Sequence, residues 1–308
     1  MKLYIGVTDN DWYTFLAQKP REEVNFWSPG GGTFKVLKPN ELFLFKLHAP
    51  LNYIVGGGFF VHNTTLPLSL AWEAFAESNG ASSLAECVVR VRKYRKNNDP
   101  DPVIGCSILT EPFFFNRSDW IPSPPSFALN IVQGKGYDSN EGDGALLMQQ
   151  VMARLLSRDI AISQPAAPKI ISDVARYGNP YLTAPRLGQG GFRVLVTDAY
   201  SRRCALTGER TLPVLEAAHI QPFAQAGAHD VRNGLLMRSD IHKLFDRGYI
   251  TVRPDLTIDV SPRIASEFSN GRIYYALQDK ELAVVPVQAS MKPDQNLLQW
   301  HNEQIFRR

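Results

Sequence analysis

Cysteine is scarce in this chain of 308 residues: Cys87, Cys106 and Cys204 lie far apart, and no C-x-x-C pair occurs. That spacing excludes a disulfide framework and argues against a cysteine-held zinc. Cys87 and Cys106 sit in apolar runs and read as core thiols. Net charge is also small, at a formal +3, so no general basic field announces a polyanionic partner. No apolar run approaches the length that crosses a bilayer, and the opening Met-Lys-Leu-Tyr-Ile-Gly-Val reads as a strand rather than a signal peptide. No internal repeat is present, which excludes a repeat architecture. The expectation is a soluble, cytoplasmic protein with no membrane partner. It is long enough for two domains and, at 44% hydrophobic, able to bury a sizeable core.

What charge there is lies unevenly. Residues 185–253 hold nine Arg and one Lys against six Asp or Glu, a local excess of +4, which leaves about −1 for the remainder. Arginine suits bidentate phosphate contacts better than lysine, and Arg202, Arg203 and Arg238 are the candidate phosphate contacts. Residues 2–7, 41–47, 53–61 and 103–110 read as strands, separated by turn signals such as Ser28-Pro-Gly-Gly-Gly32. Helices are expected at 67–78, 82–96 and, from apolar residues near helical spacing, 144–160. Residues 161–191, rich in Pro, Ala and Gly, read as a linker. A helix at 192–200 then opens the second domain. The expected division is 1–140, 141–184 (helix and linker) and 185–308, with an α+β fold class. The segment from 262 onward is uninformative.

The most telling residues are Leu215-Glu-Ala-Ala-His219-Ile, Asn233-Gly-Leu-Leu and Asp240-Ile-His242-Lys-Leu-Phe-Asp246. They read as a strand over 212–220, a second short strand over 233–237 and a helix opened by an N-capping Ser239 and closed by Gly248. His242 and Asp246 stand four apart and share one helix face. Imidazole plus carboxylate suits a divalent cation. His48, His62, His229 and His301 have no such company and read as structural histidines. A hairpin over 249–260 follows.

This segment, together with Arg186-Leu-Gly-Gln-Gly-Gly-Phe-Arg193, Asp198-Ala-Tyr and Cys204-Ala-Leu-Thr-Gly208, resembles the HNH family of ββα-metal endonucleases over roughly residues 185–260. The resemblance implies that His219 is the general base. It makes His242 and Asp246 the metal ligands, and it gives Asn233 the task of tying the loop between the strands. The metal implied is Mg²⁺ or Mn²⁺ first, with Ni²⁺, Co²⁺ or Zn²⁺ as alternatives. Many members place an Asp or His ligand directly before the base, where this chain has Ala218. The metal would then lean on the helix residues, or on a further carboxylate such as Asp240 or Glu216. Cys204 stands alone, so no structural zinc is expected.

The first 135 residues are unusually aromatic and read as a curled sheet or small barrel. Trp12 and Trp27 lie beside turn signals, where an exposed ring would stack on a nucleobase, with Asn25 and Gln133 supplying polar contacts. Val24-Asn-Phe-Trp-Ser-Pro, Glu41-Leu-Phe-Leu-Phe-Lys and Ile54-Val-Gly-Gly-Gly-Phe resemble the EVE-like branch of the PUA superfamily, small barrels that read modified bases. A reader fused to an HNH module looks like a modification-dependent restriction endonuclease, acting against phage or foreign DNA. The partner implied is double-stranded DNA carrying 5-methyl-, 5-hydroxymethyl- or glucosylated cytosine, and cutting both strands implies a homodimer. The alternatives are a less selective nicking nuclease and a non-catalytic reader of modified nucleic acid.

Overall fold

The computed structural model describes residues 1–95, 99–162, 188–222 and 229–308. The chain is α+β and divides into two compact units, Met1–Arg186 and Leu187–Arg308. Most of the expected linker, residues 163–187, lies outside the described residues. Among the described residues, no helix is long and apolar enough to cross a membrane.

The first unit is built on a seven-stranded mixed sheet. Its strands are β1 (Lys2–Thr8), β2 (Glu23–Ser28), β3 (Leu42–Leu47), β4 (Tyr53–Pro67), β5 (Val103–Phe114), β6 (Ile121–Pro122) and β7 (Gly134–Asp138). The order is β2-β5-β4-β3-β1-β7, with β6 pairing on β4. Among the described strands, only β1 and β3 run parallel, with Val7 opposite Lys46.

The run Leu-Phe-Leu-Phe-Lys-Leu of β3 is apolar without alternation because both of its faces are covered. Leu42 and Leu44 join Leu3, Ile5 and Ile54 in a core closed by Leu147, Val151 and Leu155 of α4 (Gly142–Ile162). Phe43, Phe45 and Leu47 face the opposite core with Trp12 and Leu16 of α1 (Asn10–Leu16). Lys46 is buried on β3; its ammonium donates to the Leu47 carbonyl at 3.0 Å and to Asn52 Oδ1 at 2.8 Å, and so knits the loop after the strand. Two further helices, α2 (Leu68–Phe75) and α3 (Leu84–Arg92), follow β4. A single 3-10 turn, Ala76–Asn79, extends α2, and Ser83 caps α3 by accepting from the Glu86 N–H.

The second unit starts with α5 (Gln189–Ala199). This helix begins earlier than expected and takes in Gly190 and Gly191, both buried. Then come β8 (Leu215–His219), β9 (Gly234–Arg238) and α6 (Ser239–Asp246), the ββα core of the unit. The expected Ser239 cap is displaced by one residue. Arg238 occupies the N-cap position without a side-chain bond, because a guanidinium has no acceptor to offer the helix N–H groups; it donates instead to Asp240. Gly248 adopts the left-handed conformation (φ 75°) that a helix terminus needs. β10 (Ile250–Val252) and β11 (Ile258–Val260) form the hairpin, Ile250 opposite Val260. The uninformative tail folds into three short helices, α7 (Arg263–Phe268), α8 (Arg272–Tyr275) and α9 (Gln295–Gln304), the last capped by Asp294. Cys204 is buried and free.

Candidate active site

β8 and β9 pair antiparallel from Leu215–Arg238 to His219–Gly234, which sets His219 at the end of its strand opposite a glycine. That glycine is required for packing. A Cβ there would lie 2.4 Å from Val196 Cγ2 and 3.1 Å from the Phe192 ring of α5. Without it, α5 approaches closely enough for Phe192 to lie flat on the His219 imidazole, centroids 3.9 Å apart and planes within 11°. The base candidate is therefore clamped by stacking.

Burial, and then the imidazoles of His229 and His242, push the His219 pKa down from its ordinary 6.5 to about 4. The ring is thus neutral at neutral pH and has a lone pair to offer. His229, read from sequence as an ordinary structural histidine, is in fact its neighbour: His219 Nε2 lies 3.1 Å from His229 Nδ1. Nothing local in the sequence signals this contact, because the two histidines stand ten residues apart.

Asn233, to which the resemblance gives the task of tying the loop between the strands, bonds to Gln221. Buried at 1% exposure, it accepts from the Gln221 N–H at 2.9 Å and donates its amide to the Gln221 carbonyl at 2.9 Å. The Ile220 N–H adds a bond to the Asn233 carbonyl. These bonds fasten the two ends of the loop directly behind His219. The residue itself lies on a single 3-10 turn, Val231–Asn233, rather than on the expected strand.

On α6, His242 is held between two carboxylates. Its Nδ1 meets Glu216 Oε2 at 2.6 Å, and its Nε2 lies 3.3 Å from Asp246 Oδ2. Desolvation raises the Asp246 carboxyl, with His242 opposing and Glu216 adding to the rise. The arrangement fits a divalent ion. One carboxylate orients an imidazole through one ring nitrogen, while the other nitrogen and a second carboxylate are left on one side as ligands. Among the described residues, no three His, Cys, Asp or Glu side chains form a ready-made cluster. A two-ligand set suits an ion that keeps several waters.

Of the two carboxylates considered as further ligands, Glu216 lies against His242 Nδ1, where it would orient the imidazole. Asp240, the other, is engaged elsewhere: it takes Arg238 at 2.9 and 2.5 Å and the Tyr274 hydroxyl at 3.2 Å. By the same token Arg238, expected to grip phosphate, has its fork filled by Asp240. Arg202 pairs with Asp198 at 3.2 Å, and Arg203 approaches the Gly208 carbonyl at 3.5 Å.

The four residues expected to line a base pocket do not gather in one. Trp12 is a core residue, 2% exposed, its ring edge-on to Phe26 and Phe45 at 5.4 and 5.0 Å. The Thr8-Asp-Asn-Asp11 stretch that reads as a turn is a helix start. Asp9 caps α1 by accepting from the Trp12 N–H at 2.7 Å, which rolls the indole inward. It fits there because Gly80, at φ 83°, presents no Cβ; one would lie 2.1 Å from the indole. Asn25 is also fully buried, and donates to Asn79 Oδ1 at 2.9 Å. Trp27 lies on β2 rather than in a loop, half-buried, and donates to the Asn79 carbonyl at 3.0 Å. Asn79 is the polar hub that the sequence concealed; its own amide caps the Ala71 and Ala76 carbonyls. Gln133 is exposed, and its carbonyl accepts from the Val7 N–H at 2.8 Å.

Residues 204–253 match the HNH endonuclease family model, and the second unit accordingly carries an HNH nuclease domain. No curated protein matches the chain. Solved structures similar to it include a point mutant of the ZmASCH protein from Zymomonas mobilis, at 8% identity and TM-score 0.33, covering 48% of this chain and 98% of that one. The ASCH protein from Zymomonas mobilis without a substitution is similar at 9% identity and TM-score 0.31, covering 49% and 94%. A modification dependent TagI restriction endonuclease is similar across 97% of this chain and 81% of its own, at 13% identity and TM-score 0.28.

Proposed function

We propose that the chain is a divalent-metal-dependent DNA endonuclease that selects modified DNA. The observation that carries the nuclease chemistry is the neutral, clamped imidazole of His219, set in the same ββα unit as the Glu216–His242–Asp246 array. His219 takes the proton of the water that attacks phosphorus. Asn233 keeps the strand end in place. His242 and Asp246 would hold the ion, with Glu216 fixing the orientation of His242. When bound, the ion neutralises charge on the phosphate and the departing 3′ oxygen.

The first unit is read as the selector, on the strength of its sequence resemblance to modified-base readers. In this unit Trp27 is half-buried and Gln133 exposed. Extruding a base costs a few kcal/mol. A pocket shaped for the added group on cytosine recovers that cost only on modified DNA. Because one such site cuts one strand, double-strand cleavage calls for a homodimer. The burial of Trp12 and Asn25 favours a second reading, a nicking nuclease whose first unit grips backbone without discrimination.

The deciding experiment is digestion of matched duplexes bearing cytosine, 5-methylcytosine, 5-hydroxymethylcytosine, glucosylated 5-hydroxymethylcytosine and N6-methyladenine, with Mg²⁺ and Mn²⁺ in turn. Cleavage confined to one or more modified cytosines is expected. Equal cleavage of all five would support the second reading.

A further inference from the structure

His219 and His229 share a short contact that the nuclease chemistry above does not use. His219 Nε2 lies 3.1 Å from His229 Nδ1, with ring centroids 5.1 Å apart and planes at 58°. Two neutral imidazoles at that distance share one hydrogen. We infer that His229 is a positioning residue for the base: its Nδ1 accepts the hydrogen on His219 Nε2 and so holds His219 in the tautomer whose Nδ1 carries the free lone pair. The inference rests on the reading of His219 as the general base.

The direction of the bond follows from what a base requires. Were His229 the donor, the Nε2 lone pair of His219 would be occupied and its hydrogen would sit on Nδ1, leaving no nitrogen to accept from water. With His229 as acceptor, Nδ1 is left bare, and among the described residues that nitrogen has no hydrogen-bond partner.

The clamp alone does not make this choice. Phe192 lies flat against the His219 ring, and a stacking contact with the ring face is the same whichever nitrogen carries the hydrogen. The bond to His229 breaks that degeneracy. In the reaction, the attacking water forms the O–P bond and passes its proton to Nδ1, and the P–O3′ bond breaks. The resulting imidazolium keeps its Nε2–H on His229 and returns the Nδ1 proton to solvent, which also protonates the 3′ oxygen. His229 ends as it began.

The test uses the full chain with Mn²⁺ and the preferred duplex, comparing wild type with His219→Ala, His229→Ala and His229→Asn. Asparagine places an acceptor oxygen where Nδ1 stood. Expected are a kcat about tenfold to a hundredfold lower for His229→Ala, with KM unchanged within about twofold, and substantial rescue by His229→Asn. Nitrogen-15 spectra of His219 should show a protonated Nε2 and a bare Nδ1 in wild type and His229→Asn, and a tautomer mixture in His229→Ala. The wild-type spectrum needs no variant to fold, and a protonated Nδ1 in it would overturn the proposal. An inactive His219→Ala beside a His229→Ala of wild-type kcat would also overturn it. So would a His229→Ala whose defect is loss of Mn²⁺ binding by calorimetry. A His219→Ala that cuts at the wild-type rate would instead refute the assignment of the base.

Discussion

His301 offers a quantitative test of how the second unit is held together, and of its response to acid. The residue is 1% exposed and lies flat on Phe245 of α6, centroids 3.8 Å apart. Its Nε2 faces the Phe245 carbonyl at 3.2 Å and its Nδ1 faces Thr251 Oγ1 at 2.8 Å. A carbonyl can only accept, so Nε2 carries the hydrogen and Nδ1 accepts from the threonine. This is a neutral ring with both nitrogens satisfied. Burial pushes its pKa from 6.5 to about 4, against a small opposing pull from the Phe245 carbonyl.

The unfolded chain therefore binds a proton below pH 6.5 that the folded chain refuses until about pH 4. The folded state is fully favoured above that window and loses stability as pH falls through it. The whole span corresponds to roughly 3.4 kcal/mol, of which about 2 kcal/mol is lost by pH 5. His219 adds a loss of the same sign, but it is common to both proteins when wild type is compared with His301→Gln. Glutamine can still donate to the Phe245 carbonyl and does not titrate. Urea unfolding at pH 7 and pH 5 should show the variant less stable at pH 7, with the gap to wild type narrowing by about 2 kcal/mol at pH 5. A gap that stays constant between the two pH values would refute the reasoning.

Three further outcomes follow from the same contacts. Asn233→Leu strips both bonds from Gln221 while staying apolar and buried, and should cost about 2–4 kcal/mol in chemical denaturation together with a clear drop in kcat. Trp12→Ala should cost about 3–5 kcal/mol as a core truncation, seen as a lowered unfolding midpoint of the first unit; an unchanged midpoint would contradict the burial of the ring. Asp246→Asn should weaken Mn²⁺ binding measured by calorimetry at least tenfold without lowering the thermal midpoint, since the side chain is 55% exposed.

Much of the architecture could be read from the residues because a physical constraint was written locally. β3, apart from Lys46, and residues 54–58 of β4 are apolar because they are buried on both faces. The ββα core announced itself through the spacing of His219, Asn233, His242 and Asp246 and through Gly248 at a positive φ. The misreadings have one cause in common, a partner far off in sequence. Trp12 looked exposed because Asp9 reads equally as a turn residue and as a helix cap, and only Gly80 decides that the indole fits inside. Asn25 and Trp27 are tied to Asn79, more than fifty residues away. β7, Gly-Lys-Gly-Tyr-Asp, has no apolar pattern and is a strand only because β1 offers it an edge. α7 to α9 are too short for periodicity to show.

The central claim is that His219 accepts the proton of the attacking water. Single-turnover cleavage of a duplex that wild type cuts, by wild type and His219→Ala at saturating Mn²⁺, tests it most directly, with DNA binding measured alongside. The account predicts unchanged binding and cleavage slowed by about 10²–10⁴-fold. A His219→Ala chain that cuts as fast as wild type would contradict it.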